Sequence, residues 1–369
     1  MITRTSQLSS QNGLHAAEAM PITVGNALSR RCFLRTASFT AAAIACPAIP
    51  SALAAATLKI RLATLAPKDT SFHQALKSMA EKWLKASGGS VELVLYTDGT
   101  MGGEADMVRR MRIGQLQAAM LTVAGLAEID PAVGALQKIP LLYRTLDEEV
   151  YVREKMRPTV EERFKAKGFH LLCWADAGWV RFFSKQPAVK PEELKKLKMF
   201  VLTSDKEHIA LMQEEGYRAV PLEYTDTLSG LQTGLVETVP TTPFYALAGQ
   251  FFSTAPHMVE VNYVPLVGGT VITSKAWEAI PAETRKILDE AALQMGEDVQ
   301  AKGRKESDDA VEAMRKRGLT VHTLDAEAKA AWREFGDHIM PKVRGRLVPP
   351  DIYDEVVRLL KEYRAAHPE

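Results

Sequence analysis

Enzymatic chemistry needs a nucleophile beside a base, a metal-ligand set or a cradle for phosphate. The residues that could supply these are scattered in this chain. Its eight histidines include no HExxH, and its three cysteines include no CxxC, so zinc-type spacing is absent. His73, His170 and His257 each have apolar neighbours and read as packed side chains. There is no GxSxG elbow and no GxxxxGK[ST] loop. Gly99-Thr100-Met101-Gly102-Gly103 follows a strand and precedes a helix, where a phosphate cradle would sit. It lacks dinucleotide-binding spacing and reads as a tight turn. Glu148-Glu149 and Glu161-Glu162 fall on an expected helix surface and read as solvated faces, not as an acid/base pair. Cys173, between Leu172 and Trp174, reads as a buried strand cysteine. The catalytic inventory is empty: no enzyme, metal site or cofactor is read from these residues.

The rest of the composition agrees with a protein that holds a molecule. Apolar residues make up 46% of 369 and charged residues 25%, the usual balance of a globular chain. A formal net charge of +1 implies no broad basic face, so nucleic acid is not an expected partner. Residues 1–56 read as an export signal. Arg30-Arg31 followed by Phe33-Leu34 has the twin-arginine pattern, then comes an Ala-rich run, then Ala52-Leu53-Ala54 as a small-x-small cleavage site. A rival cleavage before Cys46, in Ala43-Ile44-Ala45-Cys46, would leave a lipid anchor. Either route puts the mature chain outside the cytoplasmic membrane, in the periplasm. Cys32 and Cys46 lie in this leader, so a mature chain beginning near 55–57 keeps only Cys173 and has no internal disulfide.

The mature sequence alternates strand and helix patterns. Leu58 to Ala63 reads as a strand. Ser71-x-x-Gln74 opens a helix stopped by Gly88-Gly89, Val91 to Tyr96 is a second strand, and Ala118 to Val123 is a buried third. This succession predicts an open, mainly parallel sheet in an α/β fold. Asp147 to Gly168 reads as helix, with extended segments Phe169 to Trp174 and Trp179 to Phe183 behind it. Pro281 to Arg317 reads as one long helix, apolar at both ends and polar between Gln300 and Asp309, a pattern suited to bracing two lobes.

Five segments, in order, then resemble one family. Tyr96-Thr-Asp-Gly-Thr-Met-Gly-Gly-Glu104 with Met107 to Ala119 resembles its "G-x-LGG-x-x-E … G-x-L-D-x-A" run. Ile139-Pro-Leu-Leu-Tyr143, Lys185 to Lys198 and Val220 to Glu237 resemble three further motifs. The family is the DctP-type receptors, solute-binding proteins of tripartite ATP-independent periplasmic (TRAP) transporters. The resemblance covers nearly the whole mature chain. It implies a two-lobe periplasmic-binding-protein fold with crossing strands and a long bracing helix, a ligand held in the interlobe cleft, and a permease with a small and a large membrane subunit. Lobe I is expected over 57–178 and 267–318, lobe II over 179–266 and 319–369, in a monomer.

The resemblance also implies site residues, and here the chain departs from the pattern. Most members place a guanidinium where this chain has Phe200, and an asparagine where it has Glu237 to Pro243. A planar fork of donors suits a carboxylate; a ring favours stacking and apolar contact. Losing the charge-assisted contact would forfeit roughly 1.5–3 kcal/mol. A second cleft arginine of the family matches Arg181. Tyr224 matches a cleft aromatic, Thr122 and Val123 match the first-lobe contact, Thr241 and Thr242 lie near the lost asparagine, and Phe72 and Trp179 are expected walls. The expected ligand is a monocarboxylate held by Arg181, or a more apolar or neutral molecule, rather than a simple dicarboxylate. A sensing or scavenging receptor uncoupled from a permease would have the same sequence features.

Overall fold

The computed structural model describes residues 57–368; the twin-arginine segment and Cys46 lie outside the described residues. Strand β1 (Leu58–Thr64) buries Ile60 and Leu62 and leaves Lys59 exposed, as its alternation predicts. It pairs in parallel with β2 (Val91–Tyr96) and with β3 (Ala118–Thr122). Between them run α1 (Ser71–Ala86) and α2 (Glu104–Arg112). Thr70, not Ser71, caps α1, its hydroxyl accepting from the His73 amide; the Ser71 hydroxyl instead donates to Glu306. After β3 come the short α3 (Val123–Ala127) and the longer α4 (Leu146–Ala166).

The two extended segments expected after α4 form one strand of 16 residues, β4 (Phe169–Ser184). It runs antiparallel to a 17-residue strand, β8 (His257–Thr273). Between these two lie α5 (Pro191–Leu194), β5 (Lys198–Leu202), α6 (Lys206–Glu214), β6 (Arg218–Leu222), α7 (Thr227–Thr233), β7 (Thr238–Thr241) and α8 (Pro243–Ala248). The sheet order is β2-β1-β3-β8-β4-β7-β5-β6, so β4 and β8 carry it from one parallel half to the other. The chain finishes with α9 (Ser274–Glu278), α10 (Ala282–Arg315), β9 (Thr320–His322) alongside β8, α11 (Ala326–Val343) and α12 (Pro350–Ala366).

Apolar packing gathers the buried side chains into three clusters, one of which draws on both halves of the sheet. Trp83 on α1 is fully buried against α10, its indole donating to the Leu288 carbonyl at 3.0 Å. A side chain of that size contributes about 3–5 kcal/mol relative to alanine. On the other side of the sheet Val152, Phe164, Trp332 and Val356 belong to a core made with α4, α11 and α12. A third cluster gathers Phe183, Phe200, Leu231 and Met314.

The polar middle of α10 meets the crossing strands. A Cβ on Gly296 would lie 2.4 Å from the Trp174 carbonyl oxygen, so only glycine lets the helix approach β4 this closely. One turn on, Gln300 accepts from Arg153 at 2.7 Å, and Arg304 donates to both oxygens of Asp176 at 3.0 Å. The Ser307 hydroxyl donates to the Ala177 carbonyl at 2.9 Å. Gly178 follows at φ +82°, where the β4–β8 register slips between Asp176 and Trp179. Glu148 and Glu149 contradict the solvated-face expectation: they are 3% and 0% exposed. Glu148 is clamped by Arg364, and Glu149 accepts from Arg153 at 3.1 Å. Charge alone suggested solvent; the arginines that bury these acids stand on other elements or four residues along. Cys173 is buried on β4, its thiol pushed up to about 11 by burial.

Candidate functional site

A cavity of about 190 Å³ opens between the two halves of the sheet. Strand alternation supplies much of its wall. Val180 and Phe182 enter from β4, Val264 and Leu266 from β8, and Met199 through Leu202 from β5. Phe182 is fixed by stacking on Trp332 at 5.5 Å and by the edge of Tyr263 at 4.8 Å. A smaller recess adjoins it and shares Leu65, Glu104, Thr122, Tyr245 and Leu266 with the cavity.

The polar groups around this space are mostly already engaged. Glu104, at the first position of α2, accepts from the Thr122 amide and hydroxyl at 2.6 Å and from the Gly125 amide at 3.0 Å. Burial raises its pKa, with those three bonds pulling the other way. Thr122 also caps α3 by accepting from the Ala124 amide. Tyr224 and Tyr245 line the cavity edge to face, 6.0 Å apart, and burial raises both phenol pKa values. They are neutral hydroxyls at any physiological pH. An aromatic chain continues from Tyr245 through Phe244 to Phe72 in the recess, at centroid distances of 5.2 and 5.1 Å.

Among the described lining residues, Lys138 is the sole lysine or arginine. It precedes β4 and comes from the β1–β3 half. Asp205, between β5 and α6, comes from the other. The Lys138 ammonium meets both oxygens of Asp205 at 2.9 Å, the two side chains 16% and 13% exposed. His208 lies one turn along, its Nδ1 3.8 Å from Asp205. Burial lowers the His208 pKa; Asp205 opposes this and Lys138 adds to it.

The expected site residues divide in two. Thr122, Phe200, Tyr224 and Thr241 line the cavity, and Thr122 and Phe72 line the recess. Four others line neither. Val123 is fully buried in the core beside Thr122. Thr242 is fully buried and caps α8, accepting from the Tyr245 amide. Trp179 packs against the core next to Pro265. Arg181 stands between Val180 and Phe182 on β4, and its guanidinium donates to Glu260 at 3.2 Å. Sequence reading did not find Lys138, Asp205, His208, Glu104 or Tyr245. Lys138 and Asp205 are 67 residues apart, and only chain crossing at β4 brings them together. Glu104 did carry a signal, as the last residue of the Gly-rich motif. No group of three or more His, Cys, Asp or Glu able to hold a metal occurs among the described residues. No described helix is long and apolar enough to cross a membrane.

Comparison with known proteins places this geometry. The family model for DctP, bacterial extracellular solute-binding protein family 7, matches residues 62–345. The C4-dicarboxylate-binding periplasmic protein DctP of Rhodobacter capsulatus is 21% identical over 262 residues, 70% of this chain and 77% of its own. The sugar acid binding protein DctPAm of Advenella mimigardefordensis, solved with galactonate, superposes with a TM-score of 0.77 at 16% identity, covering 83% of this chain and 99% of that one. A TRAP periplasmic solute binding protein of Desulfovibrio salexigens, solved with orotic acid, gives 0.75 at 21% identity, covering 84% and 99%. The fold is the two-lobe fold of those proteins.

Proposed function

The chain belongs to family 7 of the bacterial extracellular solute-binding proteins, the TRAP transporter receptors that bind small organic ligands and are not enzymes, and we propose that its own ligand is a molecule with an apolar body and an uncharged polar group. One observation carries this reading: the single cation among the described lining residues is already neutralised by Asp205. A ligand carboxylate in this space would meet Asp205 and Glu104 and find no free guanidinium, at a cost in desolvation that a buried anion recovers only when paired. Phe200, Met199, Tyr224 and Tyr245 offer instead apolar area and ring faces.

In this reading, residues 57–178 with 267–318 close against 179–266, and of 319–369, expected with the second lobe, α12 packs on α4 of the first. The register slip at Gly178 supports the first boundary, and the contacts of α10 with β4 support its bracing role. Thr122, Phe200, Tyr224 and Thr241 contact the ligand. The receptor is exported by the twin-arginine signal, works as a monomer and delivers to a permease with a small and a large membrane subunit. Membership of a TRAP family favours transport over sensing alone.

The test is a thermal-shift panel on the exported protein, freed of co-purified ligand by unfolding and refolding. Organic acids are paired with their amides or esters, with branched and aromatic members included. A ligand at a hundred times its dissociation constant adds about 2.7 kcal/mol to the folded state, a readable rise in midpoint. Neutral members are expected to raise it more than their acids. A panel in which small dicarboxylates give the largest shifts would defeat the proposal.

A further inference from the structure

We propose that Asp205 sets the charge specificity of the cavity by masking Lys138, so that ligand carboxylates are refused. The inference rests on the reading of an uncharged ligand and assigns that preference to one removable side chain.

Asp205 stands at the residue before the first turn of α6, where an aspartate ordinarily accepts from the second or third amide of the helix. It makes no such bond. Its carboxylate turns instead to Lys138, and both oxygens lie 2.9 Å from the ammonium. The helix has given up its cap for an ion pair across the cleft. Because the partners belong to opposite halves of the sheet, the pair completes itself only when the halves come together. A neutral ligand leaves it intact on closure. A carboxylate resting on Lys138 would have Asp205 brought up against it, two anions sharing one ammonium away from water. The other charged and titratable groups do not relieve this. Glu104 is acidic and held by Thr122 and Gly125. Burial disfavours the charged form of His208. Arg181 is engaged by Glu260 and lines neither space.

Removing the charge of Asp205 while keeping its shape therefore unmasks a cation inside an otherwise unchanged cavity, and a ligand carboxylate can take the place of the lost one. The probes are benzoate with benzamide and isovalerate with isovaleramide, titrated calorimetrically into the exported protein, Asp205→Asn, and Asp205→Asn with Lys138→Met. The expected result is a gain of about tenfold or more in acid affinity for Asp205→Asn, the size of one charge-assisted contact. Adding Lys138→Met is expected to abolish the gain. Acids binding Asp205→Asn no better than the parent, or not at all, overturn the proposal, as does a gain that survives in the double variant. The wider reading fails separately, when the parent prefers acids to amides while Asp205→Asn still gains for acids. Thermal melts confirm folding of each variant, and Asp205→Ser replaces Asp205→Asn should the latter not fold.

Discussion

Two ion clusters lie against the crossing strands, one buried behind them and one half-buried in the cleft, and they differ in how many contacts hold them. Behind the crossing strands, Glu149, Arg153, Asp176 and Arg304 interlock from α4, β4 and α10. Arg304 grips Asp176 with two nitrogens, Arg153 adds Gln300, and Ser307 ties the same stretch of helix to Ala177. In the cleft, Lys138 and Asp205 form a single pair with one partner each side and a histidine nearby. The first cluster is over-determined, so no single contact decides the geometry of the crossing. The second is minimal, so that breaking it leaves the apolar clusters on either side untouched. Under the proposed closure, redundancy suits the hinge side and a lone pair suits the cleft side.

The largest expected effect is on the redundant cluster. Burial pushes Glu149 up to about 8, partly offset by Arg153 and raised further by Asp176. Its folded pKa lies above its unfolded value, so the folded state binds the extra proton. The stabilisation is complete below the unfolded pKa and is lost as pH rises through about 8. The loss proceeds at no more than about 1.4 kcal/mol per pH unit. Comparing the parent with Glu149→Gln by urea unfolding from pH 5 to 8 isolates this from the histidines. The parent should lose ground steadily against the variant; parallel curves would mean that Glu149 stays ionised beside Arg153.

Next comes Arg304→Met, which leaves Asp176 buried with only Arg153 beside it, 3.6 Å away. Breaking one side of a buried pair costs about 3 kcal/mol or more. Urea unfolding should show that loss with an unchanged slope. A loss under ~1 kcal/mol would place the cluster with ordinary surface pairs, whose median is no larger, and would remove the contrast with the cleft.

These clusters also explain what the sequence could and could not disclose. Elements whose pattern is local were legible: β2 begins and ends where the pattern placed it. The long helix α10 was found within two residues at each end, because apolar spacing persists through it. Glu148 and Glu149 were misread because their burial depends on Arg364 and Arg153, and nothing in a run of acids tells which face will be covered. The N-terminal half of β8 carries a plain alternation, Val259, Val261 and Tyr263 buried against exposed Glu260 and Asn262, which went unread; the register slips opposite β4 show only in the fold. At the site, ring positions such as Phe200 and Tyr224 were reachable through motif order. Lys138 and Asp205 were not, since their meaning arises only from each other.

The smallest expected effect concerns Arg181, which motif position makes a candidate anchor for an acid. In the structure its guanidinium donates to Glu260, whose side chain is 42% exposed, and it lines neither the cavity nor the recess. Arg181 is itself only 14% exposed, with its Nε buried and unpartnered, but the Glu260 end is open to water and salt, which holds the pair to about 1 kcal/mol. Arg181→Met should therefore shift stability by no more than that, and leave the affinity for a neutral panel member within about twofold. The comparison with Asp205→Asn is the sharper part. If Lys138 is the cation that an acid finds once Asp205 is neutralised, then adding Arg181→Met to Asp205→Asn leaves the gain for benzoate intact. Loss of that gain would mean that Arg181 releases Glu260 and swings to the ligand, and the lone pair in the cleft would then be a latch without a part in specificity.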